Sequence, residues 1–271
     1  YIFNKLNSMN RKLLIISVAI IIFSCSNSTE IDGINQKVEV LRDKYGINHI
    51  YANNQNDLFF MQGYLAARDR LFQFEMWRRQ ATGTVSEIFG KKELERDIGT
   101  RLFKFRGDIK DELNYYHEDG YEIISSFVSG INRYITEINN DPDNLPIEFK
   151  ILGIVPKEWT NEDVISRHQG LLGNIEEELN IGRAVSLIGE KRVKEILWFH
   201  PKEPSLKLPE NISYDDLKQD ILRLYNAYRN PIEFKREYLL SEYRGSNELA
   251  EITKNETITD NYSIGSIIGQ Y

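Results

Sequence analysis

The sequence predicts an α+β protein that is mostly helical, with a β-hairpin near its N-terminus. On either side of the turn-forming stretch RDKYG, alternating residues predict two antiparallel strands: Val38, Val40, Ile47, His49 and Tyr51. From residue 58 onward, apolar residues recur at spacings of three and four, which is the period of a helix. A regular alternation of strands and helices, typical of doubly wound folds, is absent from the sequence.

The first helix is predicted over residues 58–83, LFFMQGYLAARDRLFQFEMWRRQATG. Asn56 or Asp57 is expected to cap its N-terminus, and Gly83 is expected to stop it. Because apolar residues surround much of its circumference, we expect the helix to be buried.

Further helices are predicted in chain order. Three glycine-separated segments, residues 84–90, 91–116 and 120–138, keep the helical period. Residues 139–160 hold three of the seven prolines and predict an extended connection. Thr160 and Asp163 form a variant capping box for the next helix, and Pro201 is expected to end a helix over residues 190–200. Residues 213–230 predict one helix within a polar connector.

Composition excludes some functions. The 271 residues are 41% hydrophobic and 11% aromatic, which is enough for a sizeable core. The formal net charge of −7 offers no basic field for phosphate backbones, so nucleic acid is not an expected partner. No phosphate-binding glycine loop occurs, so nucleotide chemistry has no support.

The N-terminal residues predict export. Arg11 and Lys12 precede a mainly apolar run from Leu13 to Phe23, which is too short to span a bilayer as a helix, since that takes about 20 residues. The single cysteine, Cys25, follows this run and resembles the lipidated cysteine of bacterial lipoproteins. We therefore expect a membrane-anchored lipoprotein facing the periplasm or the cell surface. The alternative is a plain signal peptide that is cut elsewhere.

Local patterns alone give weak candidate sites. The four histidines are not paired at helical spacing, and no G-x-S-x-G occurs, so a helical zinc site and the usual serine–histidine–acid triad are disfavoured. Glu176, Glu177 and Glu178 share one helical turn and form either a solvated acidic face or a calcium site. The triplet Gly245–Ser246–Asn247 is, by itself, a common turn sequence.

The run from residue 38 to residue 101 resembles the start of the penicillin acylase (penicillin amidase) family of N-terminal nucleophile (Ntn) hydrolases. A second segment, LPIEFKILGIVPKEWTNEDV, is similar to another motif of that family. The residues that carry the first resemblance are Arg42, Asp43, Gly46, His49, Ile50, Asp57, Gly63, Tyr64, Ala67, Asp69 to Gln73, Arg78, Arg79, Gly83, Glu87 and Gly90.

The resemblance implies an amide hydrolase that matures by cutting itself. In the family, Gly-Ser-Asn marks the junction between an α chain and a β chain, so Gly245 and Ser246 form the processing junction here. Ser246 then becomes the N-terminal catalytic nucleophile. The resemblance further implies Leu171, Leu172 and Asn174 as substrate-binding residues of the acyl pocket and Glu178 as a Ca²⁺ ligand.

Four segments follow from this comparison: a leader and tether (1–36), a helical α-chain-like region (37–200), a connector or spacer (201–245) and a truncated β-chain-like start (246–271). The complete protein is expected to adopt the four-layer αββα fold. Leu249 stands where the family usually has tryptophan, and the following residues do not resemble the first strands of a β chain. We therefore expect this chain to be inactive alone and to need a β chain, encoded in the same precursor or by a neighbouring gene.

The expected substrate is a small acyl amide: a β-lactam side chain, an acyl-homoserine lactone or another N-acyl compound. The alternative function is a non-catalytic lipoprotein that keeps the α-chain fold as a binding module.

Overall fold

The structure, a computed structural model, describes residues 29–169 and 175–244. The chain divides after Asp32 into two units, and residues 29–32 of the first unit lie outside helices and strands. All elements described below belong to the second unit.

Within the described residues the second unit is mostly helical, with one two-stranded antiparallel sheet. The elements are β1 (Glu39–Arg42), β2 (Asn48–Tyr51), α1 (Gln55–Thr82), α2 (Ser86–Phe89), α3 (Leu94–Phe103), α4 (Ile109–Tyr116), α5 (Gly120–Asn139), α6 (Ile147–Leu152), α7 (Asn161–Gln169), α8 (Ile175–Ile188), α9 (Glu190–Ile196), α10 (Tyr214–Leu217) and α11 (Arg223–Arg229). Short 3-10 helices occupy Lys91–Glu93, Pro142–Asn144, Arg236–Tyr238 and Ser241–Arg244. None of the described helices is both long and apolar enough to cross a bilayer.

The predicted hairpin is confirmed. Strands β1 and β2 pair in antiparallel fashion, with Val40 opposite Ile50. The turn closes because the Asp43 carboxylate accepts backbone N–H bonds from Tyr45 and Ile47, each at 2.9 Å. Gly46 follows with φ of 80°, a left-handed conformation that glycine adopts without strain.

Helix α1 is the long buried helix that the sequence predicts, but its N-terminal cap is different. Asn54, rather than Asn56 or Asp57, caps the helix, because the Asn54 side chain accepts the Asp57 N–H at 2.8 Å. Gly83 ends the helix in the left-handed conformation, as predicted. Arg70 interrupts the helical dihedral angles and marks a kink.

Helices α1 and α5 cross at two glycines. A Cβ atom on Gly63 would lie 2.0 Å from the carbonyl oxygen of Phe127, and one on Gly130 would lie 1.9 Å from that of Phe60. Only residues without a side chain let the two backbones approach this closely. This crossing is the centre from which the hydrophobic core extends.

The core contains side chains from α1, α2, α5 and α6 and from the following loop, including Phe72, Phe89, Ile131, Phe149 and Trp159. The prediction of an extended connection over residues 139–160 is wrong for its middle, because α6 forms there. Phe149, Ile151 and Leu152 are buried in the core, and burial of their side chains outweighs the local proline content.

Two other helix predictions need correction. The helix predicted over residues 190–200 ends at Ile196, well before Pro201. The single helix predicted over residues 213–230 is two short helices, α10 and α11, because the chain leaves helical geometry after Leu217 and re-enters it at Arg223. The capping box of α7 is confirmed: Thr160 N–H donates to the Asp163 carboxylate at 2.9 Å, and Asp163 N–H donates to the Thr160 hydroxyl at 3.3 Å.

Candidate functional site

Most of the predicted site residues lie outside the described part of the chain. These are the junction residues Gly245 and Ser246, the pocket residues Leu171, Leu172 and Asn174, and the lipidation candidate Cys25. Glu178 is described. The structure therefore defines what surrounds these positions along the chain: the segment that leads to the junction, and the helices on either side of the pocket residues.

The segment that leads to the junction, residues 231–244, packs on the helical core. Ile232 is buried within the core, and the Phe234 ring makes edge contacts with Phe72 at 5.9 Å and Phe89 at 5.1 Å between ring centroids. The Tyr238 ring contacts Phe89 at 4.8 Å. These aromatic contacts fix the path of a segment whose sequence reads as a polar connector.

Backbone contacts continue this attachment up to the residue before Gly245. Leu240 N–H donates to the carbonyl oxygen of Ile151 in α6 at 2.8 Å, and the Leu240 side chain lies against Gly153. Tyr243 packs against the core, and the Arg244 guanidinium donates to the carbonyl oxygen of Leu239 at 2.8 Å. The chain thus reaches the predicted junction from a fixed position on α6.

The predicted pocket residues follow α7 and precede α8. Helix α7 packs against α1 and α5, and its Ile165 side chain is buried. Burial raises the pKa of the Asp163 carboxyl in its first turn, although Thr160 hydrogen bonds oppose the shift. Residues 170–174 therefore connect to a helix that is anchored at its N-terminus by a capping box and on one face by the core.

A buried charge network lies beside this core and was not predicted. Glu75 is 1% exposed, and its carboxylate accepts hydrogen bonds from Arg78 at 2.8 and 3.0 Å, from Arg79 at 2.8 Å and from the backbone N–H of Lys157 at 3.1 Å. Arg79 also donates to the half-exposed Glu87 at 2.9 Å. The spacing of Glu75 from the two arginines, three and four residues, is the signal that could have revealed the network.

Several residues that carry the family resemblance have structural roles. Asp69 accepts hydrogen bonds from Arg42 at 2.8 Å and from the Asn48 side chain at 2.9 Å, which joins the hairpin to α1. Burial by itself would raise the pKa of Asp57, but hydrogen bonds from Asn35, Asn54 and Gln36 hold it below its ordinary value. The motif therefore specifies the scaffold of this region.

Glu178 lies exposed in the first turn of α8, beside Glu176 and Glu177. Among the residues that the structure describes, no group of three or more histidine, cysteine or acidic side chains is arranged to hold a metal ion. A calcium ion prefers six to eight oxygen ligands. These glutamates do not fit the ion on their own, and the assignment of Glu178 as a calcium ligand stays a prediction.

Comparison with known proteins decides the family. The model of the family described as penicillin amidase matches residues 37–261. The chain belongs to the penicillin amidase family. The match runs through Gly245, Ser246 and Asn247 and continues beyond Leu249, the position at which the sequence comparison suggested that the pattern stops.

Relatives with different names share this part of the family. The chain is 35% identical to penicillin G acylase of Escherichia coli over 141 residues, which are 52% of this chain and 17% of the relative. It is 28% identical to the penicillin acylase 2 proenzyme of Pseudomonas sp. (strain SE83), over 74% of this chain and 26% of the relative. An acyl-homoserine lactone acylase of Pseudomonas syringae pv. tomato is 27% identical over 69% of this chain and 23% of the relative. The penicillin amidase chain thus spans about a quarter or less of these relatives.

A solved structure supports the fold of this region. A chain of the thermostable penicillin G acylase from Alcaligenes faecalis matches with a TM-score of 0.51 and 27% sequence identity. The match covers 65% of this penicillin amidase chain and 99% of the solved chain. The mostly helical architecture described above therefore corresponds to a complete chain of that structure.

Proposed function

We propose that this chain supplies the helical α portion and the processing junction of an amide hydrolase that cleaves an N-acyl compound. The observation that carries the proposal is the family match across residues 37–261, which includes the junction triplet. Relatives named penicillin G acylase and acyl-homoserine lactone acylase support amide hydrolysis as the reaction class. These two names differ in substrate, so the proposal extends to the acyl amide class and not to one compound.

Ser246 has two roles in this proposal. In processing, its hydroxyl oxygen attacks the Gly245 carbonyl carbon, the peptide C–N bond breaks, and the amine of Ser246 takes up a proton. Water then hydrolyses the resulting ester, which leaves Gly245 with a carboxylate and Ser246 with a free α-amine. Because an α-amine has a reference pKa of about 7.7 to 8.0, a fraction of it is unprotonated at neutral pH and can accept the hydroxyl proton during catalysis.

A β chain completes the proposed enzyme. The curated relatives are several times longer than the region they share with this chain, and the name proenzyme of one of them is consistent with maturation. We propose that the β chain supplies the remaining strands of an αββα fold, which β1 and β2 join, and that Leu171, Leu172 and Asn174 line the acyl pocket against it.

The test is co-expression of this chain with the β chain encoded at its locus, followed by an assay of acyl-amide hydrolysis. We expect turnover with the β chain present and loss of both processing and turnover in Ser246→Ala. Ser241→Ala, which changes a serine in the last 3-10 helix before the junction, is the matched control and is expected to keep both. Retained turnover in Ser246→Ala, or a locus without a β chain, contradicts the proposal and favours a non-catalytic binding module.

We also propose a lipid anchor at Cys25, supported by its position after the apolar run from Leu13 to Phe23. In a bacterial host, the wild-type protein is expected in the membrane fraction and to incorporate labelled palmitate. Cys25→Ser is expected to lose the label, while Ser24→Ala, the neighbouring control, keeps it. Labelling of the Cys25→Ser protein would contradict the anchor.

A further inference from the structure

The segment that precedes the predicted junction, residues 223–244, is attached to the helical core along its whole length. Helix α11, at its start, lies directly on α3: a Cβ atom on Gly99 would be 2.2 Å from the carbonyl oxygen of Leu224. Tyr225 is 4% exposed, and its ring contacts that of Phe103 at 5.7 Å between centroids. An exposed linker would not need this close backbone approach.

Arg96 of α3 holds the point at which α11 ends. Its side chain is 5% exposed and donates to the carbonyl oxygens of Asn230 at 2.5 Å and Pro231 at 3.1 Å, with a longer contact to that of Tyr228 at 3.4 Å. The Glu93 carboxylate accepts from the Arg96 Nε at 2.6 Å and fixes the orientation of the guanidinium. Carbonyl groups at a helix C-terminus have no partners within the helix, and a guanidinium satisfies several of them at once.

Beyond Pro231 the attachment passes to the aromatic contacts of Phe234 and Tyr238 and then to the hydrogen bond between Leu240 and α6. Arg96 therefore lies where the chain turns from α11 toward the core. From this point the segment runs without a detached stretch to Arg244, one residue before Gly245.

We propose that Arg96 is a positioning residue that fastens residues 223–244 to the core, and that this segment stays bound after the chain is cut between Gly245 and Ser246. On this inference the segment is a permanent part of the α portion and not a spacer that is released. The cut itself rests on the proposed function, whereas the attachment by Arg96 does not.

Hydrogen exchange of the 271-residue chain tests the attachment. In Arg96→Ala, the Leu240 and Tyr243 amides are expected to exchange at least about tenfold faster, while amides of α5 keep their protection. The matched control is Arg101→Ala, on the same helix, whose side chain donates to the Gly83 carbonyl oxygen at 3.1 Å and does not touch the segment. It is expected to leave Leu240 and Tyr243 unchanged. Unchanged exchange of both amides in Arg96→Ala overturns the inference.

A second variant covers the case in which Arg96→Ala fails to fold. Arg96→Lys keeps the positive charge beside Glu93, but its ammonium cannot match the forked geometry of the guanidinium. It is expected to accelerate exchange at the same two amides by a smaller factor. Unchanged exchange in this variant as well overturns the role of Arg96.

The fate of the segment is read from mass spectrometry of the protein co-expressed with its β chain. The expected N-terminal product ends at Gly245 and co-purifies with the β chain. A cut before Ser246 combined with a product that ends upstream of residue 223 overturns the inference. If Ser246 is never released as an N-terminus, the proposed function fails, and the exchange experiment still decides whether Arg96 holds the segment.

Discussion

At the scale of single residues, buried charges hold the scaffold in place beside the segments that lead to the predicted site. Glu75 has no exposed side-chain surface and is matched by two arginines, and the backbone N–H of Lys157 donates to the same carboxylate. Such a site is stable only while every partner is present, because an unpaired charge in the interior is costly. The residues concerned lie in the family motif or next to it, so their spacing reflects this network.

Glu75→Gln is the change that tests the network. It leaves two buried guanidinium groups with one fewer negative charge, and we expect the free energy of unfolding to fall by about 3 to 5 kcal/mol. Glu87→Gln is the control, since Glu87 also binds Arg79 but is about half exposed, and its loss should cost at most about 1 kcal/mol. Urea unfolding measures both values. Equal effects of the two substitutions would show that burial of the pair is unimportant.

Asp57 gives a pH dependence with a definite sign. Its folded pKa is lowered, so its hydrogen bonds contribute stability above the unfolded pKa of about 3.9, and this contribution is lost as the pH falls through the folded pKa. In Asp57→Asn the contribution is absent at every pH, and the difference in unfolding free energy from wild type should shrink toward acid. Urea unfolding between about pH 6 and pH 3 measures this difference. A difference independent of pH would contradict the assignment.

At the scale of elements, the crossing of α1 and α5 depends on the absence of side chains at the contact. Gly63 and Gly130 each allow a carbonyl oxygen of the opposite helix to lie where a Cβ atom would otherwise be. Because these neighbours are backbone atoms within helices, they cannot move aside as a flexible side chain can. The packing of the two helices, and with it the core around Ile131 and Ile135, follows from this geometry.

Gly63→Ala is therefore expected to destabilise the protein by about 2 kcal/mol or more, since the helices must separate. Gly182→Ala in α8 is the matched control: a Cβ atom there would meet Leu208 at an ordinary 3.6 Å. Its expected effect is a gain of up to about 1 kcal/mol from helix propensity. Thermal unfolding followed by circular dichroism compares the two variants, and an unchanged midpoint in Gly63→Ala would refute the close crossing.

At the scale of the whole molecule, many large apolar side chains of the described residues remain exposed. They include Leu41, Ile47 and Tyr51 on the hairpin, Leu94, Ile98 and Leu102 along one face of α3, and Trp198, which is 86% exposed. Contiguous apolar surface of this kind usually marks an interaction site. The proposed β chain is the partner that would cover it.

The isolated chain is accordingly expected to self-associate and to bind a hydrophobic dye. Co-expression with the β chain should suppress both properties. Size-exclusion chromatography with light scattering gives the oligomeric state, and dye fluorescence reports exposed apolar surface. A monodisperse monomer that does not bind the dye would contradict this prediction and weaken the case for a missing partner.

The sequence alone determined the features that depend on neighbours along the chain. The hairpin, the buried helix α1 with its stop at Gly83 and the capping box of α7 all follow from local periodicity and turn chemistry, and motif spacing identified the family. Ser246 and the other residues of the predicted site, apart from Glu178, lie outside the described residues, so their roles remain predictions from that resemblance.

Only the tertiary structure decided the features that depend on contacts between distant segments. Asn54 caps α1 because Asp57 is occupied by Asn35 and Gln36, and α6 forms in a proline-containing stretch because its apolar side chains are buried in the core. Arg96 holds a segment more than a hundred residues away in sequence, which no local pattern reveals. The physical reason is that packing and buried hydrogen bonds outweigh local preferences wherever the two compete.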